Sequence, residues 1–444
     1  MIPRLVLFLC LACASCVHYQ PRPLSASASA ASFTGRSLHD AGLKAFLAEQ
    51  GGGSSSRRWS ADRLALAAAY FHPDVAVARA EAEEAGAAIM TAGQRPNPVL
   101  SFSPEYNSTS SGISPWIITP TLDVPIETAG KRARRIEQSR ATAEAARLRV
   151  AAKSWDVRSK VHAAMLDLHA ARESEALLKE EQTLHEEELK RLDAQVKAGE
   201  TPAFELTQAR LSLNRARLAL HDVEKKSATA RAALAAAVGV PASAIDAVSL
   251  DFSAFNTLPS APGSRARKRA LTHRADLLAA LADYAATDAA LRLEIARQYP
   301  DIRINPGYQL DQTDNQWALG ISVELPVLNQ NRGPIAQAEA KRKTAQTKFE
   351  ALQATVFGEI ELALAAYRAA QAKAATAAKL TNDAAAQADS AGKMVEAGEL
   401  SPLEHTRRRI EVTAAKLARQ EALQEARAAL AALEAAIQVP ARKW

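Results

Sequence analysis

His162 and His169 are the side chains best suited by type to share a metal ion, and their spacing argues against it. They stand seven positions apart on one stripe with Leu148 and Trp155. On a helix that is two turns, roughly 10 Å, too far for one ion to be held by both directly. Packing between helices fits these residues better. Beyond Met1, only Met90, Met165 and Met394 are present, too scattered for a Cu(I) relay. No nucleophile–base spacing, phosphate loop or zinc signature occurs. The sequence therefore offers no catalytic, cofactor-binding or metal-ligating residue and reads as a non-enzyme.

Cysteine suggests a different chemistry. All 3 cysteines, Cys10, Cys13 and Cys16, lie at the N-terminus. Arg4 is followed by the apolar run of residues 5–12, long enough for a signal-peptide core and too short to span a bilayer. The small residues Ala14 and Ser15 before Cys16 resemble a bacterial lipoprotein cleavage site, although Cys13 occupies a place where leucine is usual. On this reading residues 1–15 form a lipoprotein-type signal peptide. Cys16 becomes the acylated first residue, which anchors the chain without spanning the membrane. An ordinary signal peptide cut nearby would leave Cys16 incidental. Val17 follows, not the aspartate that resembles an inner-membrane retention signal. The mature chain has at most one cysteine and no intrachain disulfide.

The elements around these residues come in two copies. Asp74 matches Asp276, Pro98 matches Pro300 and Tyr106 matches Tyr308, each at an offset of 202. Pro125 matches Pro326 at 201. The run Val196, Lys197, Ala198, Gly199, Glu200 matches Val395, Glu396, Ala397, Gly398, Glu399, and Val240-Pro241 matches Val439-Pro440, all at 199. A repeat this long is a duplicated unit, since solenoid repeats run ~20–50 residues. The expected division is a flexible, exposed tether at 16–60, a first repeat at 61–241, an inter-repeat linker at 242–272, a second repeat at 273–440 and a short tail at 441–444. Aromatics at 5% and a preponderance of alanine favour closely packed helices. The net charge of +6 is spread along helix faces, often beside glutamate, with no aromatic-interleaved basic patch, so nucleic-acid binding is discounted.

Each unit reads as helix, two strands, long helix, tight turn, helix. In the first, Pro73 divides a helix over 61–93, and strands follow at 99–107 and 116–124. In the second, strands lie at 302–310 and 316–325. The last is the clearest: Trp317, Leu319, Ile321, Val323 and Leu325 alternate with Ala318, Gly320, Ser322 and Glu324, one apolar face against one small or polar face. A transmembrane strand needs ~9–11 residues with such a lipid face. Four strands amid so much helix would make a poor soluble core. No stretch reaches the ~18 consecutive apolar residues of a membrane-spanning helix.

Long helices follow at 133–197 and about 335–397. From Ile136 to Leu192 an apolar or packing residue recurs every seven positions, the mark of coiled-coil-like packing. Gly199 and Gly398 supply left-handed stops. Thr201-Pro202 and Ser401-Pro402 then restart helices with an N-cap and a proline, and Glu404 completes a capping box with Ser401. The returning helix of the first unit carries two stripes, Phe204, Leu211, Leu218 and Leu206, Leu213, Leu220, on opposite sides. It should touch neighbours on both, as in a curved wall. The two shorter helices of each unit sum to the length of the long one and are expected to stack end to end beside it.

The ordered set Asn97-Pro98 and strand, Asp123-Val124-Pro125-Ile126-Glu127-Thr128-Ala129-Gly130-Lys131-Arg132, long helix, Ala198-Gly199-Glu200-Thr201-Pro202 and Val238-Gly239-Val240-Pro241, duplicated, resembles the TolC-like outer-membrane efflux protein family over residues 60–440. The resemblance implies a mainly α fold with a small β part. Three copies would close a 12-stranded outer-membrane barrel, continued by a long periplasmic α-helical barrel. It implies a lipid-anchored homotrimer in the outer membrane of a Gram-negative bacterium, a passive exit duct serving an inner-membrane pump of RND type and a periplasmic adaptor.

By position, the periplasmic tip and adaptor contact would be Gly199, Glu200, Thr201, Gly398, Glu399 and Leu400. Glu200 and Glu399 would form an acidic ring or merely solvated turns, and Asp193 would be an aperture acid whose repeat partner is Gly392. The segment from Ile126 to Arg132 looks like that of heavy-metal efflux members, with drugs the rival cargo. Gly130, Lys131 and Arg132 would shape the strand–helix junction or meet lipid headgroups. A peptide-secretion duct or a periplasmic coiled-coil scaffold are the other readings. The mismatches Thr201/Leu400, Asp193/Gly392 and Leu206/His405 mark where a six-fold-like tunnel becomes three-fold and where a gate is sought.

Overall fold

The computed structural model describes residues 19–50, 58–109 and 111–441. The expected signal peptide and Cys16 lie outside the described residues. Among the described residues two short helices come first, α1 (Ala26–Thr34) and α2 (Ala41–Glu49), then a two-residue strand β1 (Trp59–Ser60). The first unit runs α3 (Ala61–Phe71), α4 (Pro73–Gly93), β2 (Val99–Tyr106), β3 (Trp116–Ile126), α5 (Lys131–Lys197) and α6 (Ala203–Val238). A link of α7 (Ala242–Asp246), β4 (Leu250–Asp251), a 3-10 turn (Ser253–Phe255) and α8 (Ser264–His273) leads to the second unit. That unit is α9 (Ala275–Ala296), β5 (Ile302–Asp311), β6 (Asp314–Val323), α10 (Arg332–Glu396) and α11 (Pro402–Ile437).

Pro73 divides the first helix as expected: His72 leaves helical geometry, and its ring nitrogen accepts from the Asp74 amide at 3.2 Å. The last strand ends at Val323, so Leu325 lies beyond it, and the strand starts two residues earlier than predicted. The segment 16–60 is only partly an exposed tether. α1 buries nothing, but Leu38, Leu43, Leu47 and Trp59 are buried in the same core as Leu64, Val75, Val161 and Leu234. The low complexity of the surrounding sequence hides those four anchors. The strand β1 also pairs in parallel with β4 of the link, which ties the start of the chain to the waist of the molecule.

α5 has 67 residues, roughly 100 Å at 1.5 Å per residue. Its heptad residues Val157, Ala164, Ala171, Leu178, His185 and Leu192 are buried. α4 and α6 both pack along α5, and α9 and α11 both pack between α5 and α10. The short helices thus stack as columns beside the long ones, and one chain gives four columns of wall. Among the described residues no helix is long and apolar enough to cross a membrane.

Candidate functional site: a two-faced sheet, a helical wall and its tips

The four strands form one antiparallel sheet in the order β2-β3-β5-β6. Register fixes its faces. Leu100 opposes Leu122, Phe102 opposes Pro120 and Tyr106 opposes Trp116. Ile302, Ile304, Pro306 and Tyr308 oppose Val323, Ile321, Leu319 and Trp317. All share one face, because side chains alternate along a strand. The other face carries Ser101, Ser103, Thr119, Thr121, Asn305, Gln309, Gln316 and Ser322. Arg303 and Asp123 pair across that polar face at 2.7 Å. On the apolar face Trp317, Leu319 and Ile321 expose 83%, 71% and 68% of their surface, so the chain itself does not cover it. Tyr106–Trp116 and Tyr308–Trp317 ring pairs, at 5.1 and 4.9 Å, stand at the turn ends of both hairpins. Among the described residues β2 and β6 each keep one edge unpaired.

The junction from sheet to wall is held by the segment that includes Gly130 and Lys131. Gly130 takes a left-handed φ of 68° as α5 starts. Lys131 is buried and pairs with Asp301 at 2.7 Å, which also accepts from the Thr128 amide at 3.0 Å. Arg132 donates to Gly93 O at 2.6 Å, and Arg135 donates to Ala92 O and Gln94 O while pairing with Glu127. These cations satisfy carbonyls at the end of α4, where a helix leaves its last carbonyls unpaired. Lys131 therefore shapes the junction and is not directed to lipid. Its partner Asp301 sits 170 residues away, so the pairing had no local signal in the sequence.

At the far end both helical hairpins turn in the same way. Gly199 and Gly398 have φ of 76° and 77°. The amide of Glu200 donates to Gln195 O at 2.9 Å and that of Glu399 to Met394 O at 2.8 Å, the bonding of a Schellman stop. The restarts differ. Ser401 Oγ accepts from the Glu404 amide at 3.2 Å. Thr201 caps nothing; its hydroxyl donates to Gln195 Oε1 at 3.4 Å, and α6 starts one residue later than expected, at Ala203. Glu200 and Glu399 are exposed, whereas Thr201 and Leu400 are half-buried. Asp193 pairs with Lys197 at 2.6 Å on its own helix. Two of the mismatches between units meet in space: a Cβ at Gly392 would stand 3.3 Å from His405 Nε2. Glycine at one position makes room for the imidazole at the other.

Between the two units lies a polar seam. Arg407 of α11 reaches Glu188 of α5 at 3.2 Å and Glu205 of α6 at 3.3 Å. Lys416–Glu180 and Arg427–Glu173 follow at 3.3 and 3.4 Å. His185 shares Glu188 at 3.2 Å. The Glu188 carboxyl is held below its ordinary value by the hydrogen bond with His185 and then by Arg407, against the opposing effect of burial. The histidines of the opening stripe serve packing. His162 lies 3.3 Å from Asp62, and His169 stacks on Phe252 and Phe255 at 5.0 and 5.7 Å. Burial pushes His169 down, and nearby Glu173 opposes this. Among the described residues no group of three His, Cys, Asp or Glu side chains is placed to hold a metal ion.

Comparison with known proteins agrees with this architecture. The profile of the outer membrane efflux protein family matches residues 67–240 and 266–438, one match per unit. The cobalt-zinc-cadmium resistance protein CzcC of Cupriavidus metallidurans is 27% identical over 347 residues, 77% of this chain and 80% of that one. A membrane protein from Pseudomonas aeruginosa superposes with a TM-score of 0.71 at 19% identity, covering 86% of this chain and 90% of that one. The outer membrane protein VceC of Vibrio cholerae gives 0.69 at 17%, covering 86% and 96%.

Proposed function

The chain belongs to the outer membrane efflux protein family, and from that premise we propose that three copies close a duct for divalent heavy-metal cations, fed by an inner-membrane pump of RND type through a periplasmic adaptor. The duct is a conduit and performs no chemistry on its cargo. One observation carries this reading: a sheet with one apolar and one polar face runs directly into a wall of helices roughly 100 Å long, and both end in open edges.

Four strands cannot close a barrel, for which about eight are the small limit. Three copies supply twelve strands, as the family resemblance implies. The helices favour head-to-tail closure. On α11, Leu403 and Leu417 pack against residues of α5 and α6 in the same chain. Their repeat counterparts on α6, Phe204 and Leu218, are exposed. Repeating the α5–α11 contact between copies would seat the α6 stripe on α10 of the next copy, a heterologous contact that closes into a ring. The apolar sheet face would then meet outer-membrane lipid and the Asp123–Arg303 pair the aqueous lumen.

Cation cargo is supported by the resemblance to a cobalt-zinc-cadmium resistance protein and by exposed Glu200 and Glu399 at the tips, where a ring of acids attracts cations. Asp193, paired with Lys197, adds little to that ring. Gly199, Thr201, Gly398 and Leu400 would complete the adaptor contact, and acylated Cys16 would add an anchor to the outer membrane. A deletion strain should become hypersensitive to cobalt, zinc and cadmium and recover with the gene restored. Hypersensitivity to drugs with unchanged metal tolerance would remove the metal cargo. Absence of conductance in planar bilayers would remove the duct.

A further inference from the structure

The two open flanks of the chain carry opposite charges at matched places. Inside the chain α9 lies against α5, and there Arg149 of α5 pairs with Asp283 of α9. The pair crosses from one unit to the other. The long helices correspond at an offset of 199: Ile136 and Ile335 are both half-buried, and Val157 and Val356 are both fully buried. Those two matches bracket Arg149. α4 corresponds to α9 at an offset of 202. The counterparts of Arg149 and Asp283 are therefore Lys348 of α10 and Glu81 of α4, and both signs are kept. Lys348 and Glu81 are exposed, and neither has an ion-pair or hydrogen-bond partner for its side chain among the described residues.

Duplication does not preserve such charges as a rule. Arg292–Glu137 becomes Met90 and Ala336, Lys416–Glu180 becomes Arg217 and Lys379, and Arg407–Glu188 becomes Gln208 and Gln387. Among the described ion pairs between helices of the two units, Arg149–Asp283 is the one whose counterparts keep both signs. The counterparts stand at opposite ends of the row of columns, because α4 packs on α5 while α10 packs on α9 and α11. The flank of α4 is open where that of α9 is filled. Ala279 is buried, whereas its counterpart Val77, one helical turn from Glu81, exposes 57% of its surface. The heights also agree. Glu81 lies about 18 Å before the end of α4 and Lys348 about 24 Å after the start of α10, and both of those ends adjoin the sheet.

We propose that Glu81 of one copy pairs with Lys348 of the next, and that this contact sets the direction in which copies join. It rests on head-to-tail closure of the copies, and it adds the charges that select that closure. A two-fold contact of α4 on α4 sets Glu81 against Glu81, and one of α10 on α10 sets Lys348 against Lys348. Like charges oppose both, and head-to-tail packing alone joins opposite ones.

The test is sedimentation of the full chain in detergent over a dilution series, together with crosslinking. Glu81→Lys and Lys348→Glu should each raise the concentration at which copies dissociate by about five-fold or more. Both changes in one chain should restore it to within about two-fold, since every boundary regains an opposite pair. Glu83→Lys makes the same charge change about 200° around α4 and should have little effect. Glu81→Cys with Lys348→Cys should give linked copies with a short bismaleimide, in bands absent from either single variant and from the unaltered chain. Circular dichroism checks helix content, and the crosslinking decides if a charge variant does not fold. Copies that associate but crosslink no better in the double cysteine variant than in the single ones would overturn the pairing and leave the duct standing. An unaltered chain that does not associate would remove both.

Discussion

The two units share one plan and differ in what surrounds them. In the second, α11 packs on both flanks, against α5 and α10. In the first, α6 has α5 on one side and presents Phe204, Leu211 and Leu218 on the other. The waist differs in the opposite sense. The first unit gathers Leu38, Leu43, Leu47 and Trp59 from the start of the chain into its core, whereas the second has a smaller cluster around Leu277, Val356, Tyr367 and Leu433. Duplication supplied equivalent helices, and neighbours made them unequal. Mismatched residues need not be gates: Gly392 and His405 are an accommodating pair, and the charged seam has no counterpart at the offset positions, where Glu188 becomes Gln387 and Arg407 becomes Gln208.

The largest effect should come from the paired stripe. Leu403→Gln places an amide among Leu192 and Ala209 and should cost the fold about 2–3 kcal/mol, read as a lowered melting temperature. Phe204→Gln, its counterpart, should change the stability of a single chain by about 0.5 kcal/mol or less and instead weaken association of copies, read by chemical crosslinking. Equal losses of chain stability in both would mean the units are not distinguished by their neighbours.

A smaller contrast lies at the tips. Ser401→Ala removes an N-cap and should cost about 1 kcal/mol, with fraying of α11 seen by hydrogen exchange. Thr201→Ala should be close to neutral, because Thr201 caps no helix. A matching cost at both positions would show that Thr201 does cap in solution.

The smallest effect is a dependence on pH. The folded pKa of Glu188 lies below its ordinary value, so its contribution is complete above the unfolded value of about 4.3 and is lost as pH falls through the lower folded value. Acid titration followed by circular dichroism should show that loss in the unaltered chain and not in Glu188→Gln. Gln387→Ala, at the non-titrating counterpart, should leave the acid limb as it is. Identical acid limbs in the unaltered chain and Glu188→Gln would remove the seam from the pH response.

Periodicity made most of the fold legible. Seven-residue spacing, alternation from Trp317 to Val323 and glycines at 199 and 398 are local rules, and each is met where the residues required it. Local rules failed where a contact is distant or a pattern weak. Leu38, Leu43 and Leu47 sit in a stretch too irregular to announce burial, and Leu325 continued an alternation that the sheet had already left. The sequence left Lys131 between shaping the junction and meeting lipid headgroups, because Asp301, its partner, belongs to the other unit.

The sequence by itself determined the duplicated unit, the order of its elements and the two-faced strand, because these depend on residue type and near-neighbour spacing. Only the tertiary structure decided which helix flank is filled and which is open, that Glu81 and Lys348 stand on opposite open flanks, and that cations at the strand–helix junction satisfy the end of α4. Those outcomes depend on which distant segments come to lie side by side, and a packed neighbour leaves no mark in the residues next to it in the chain.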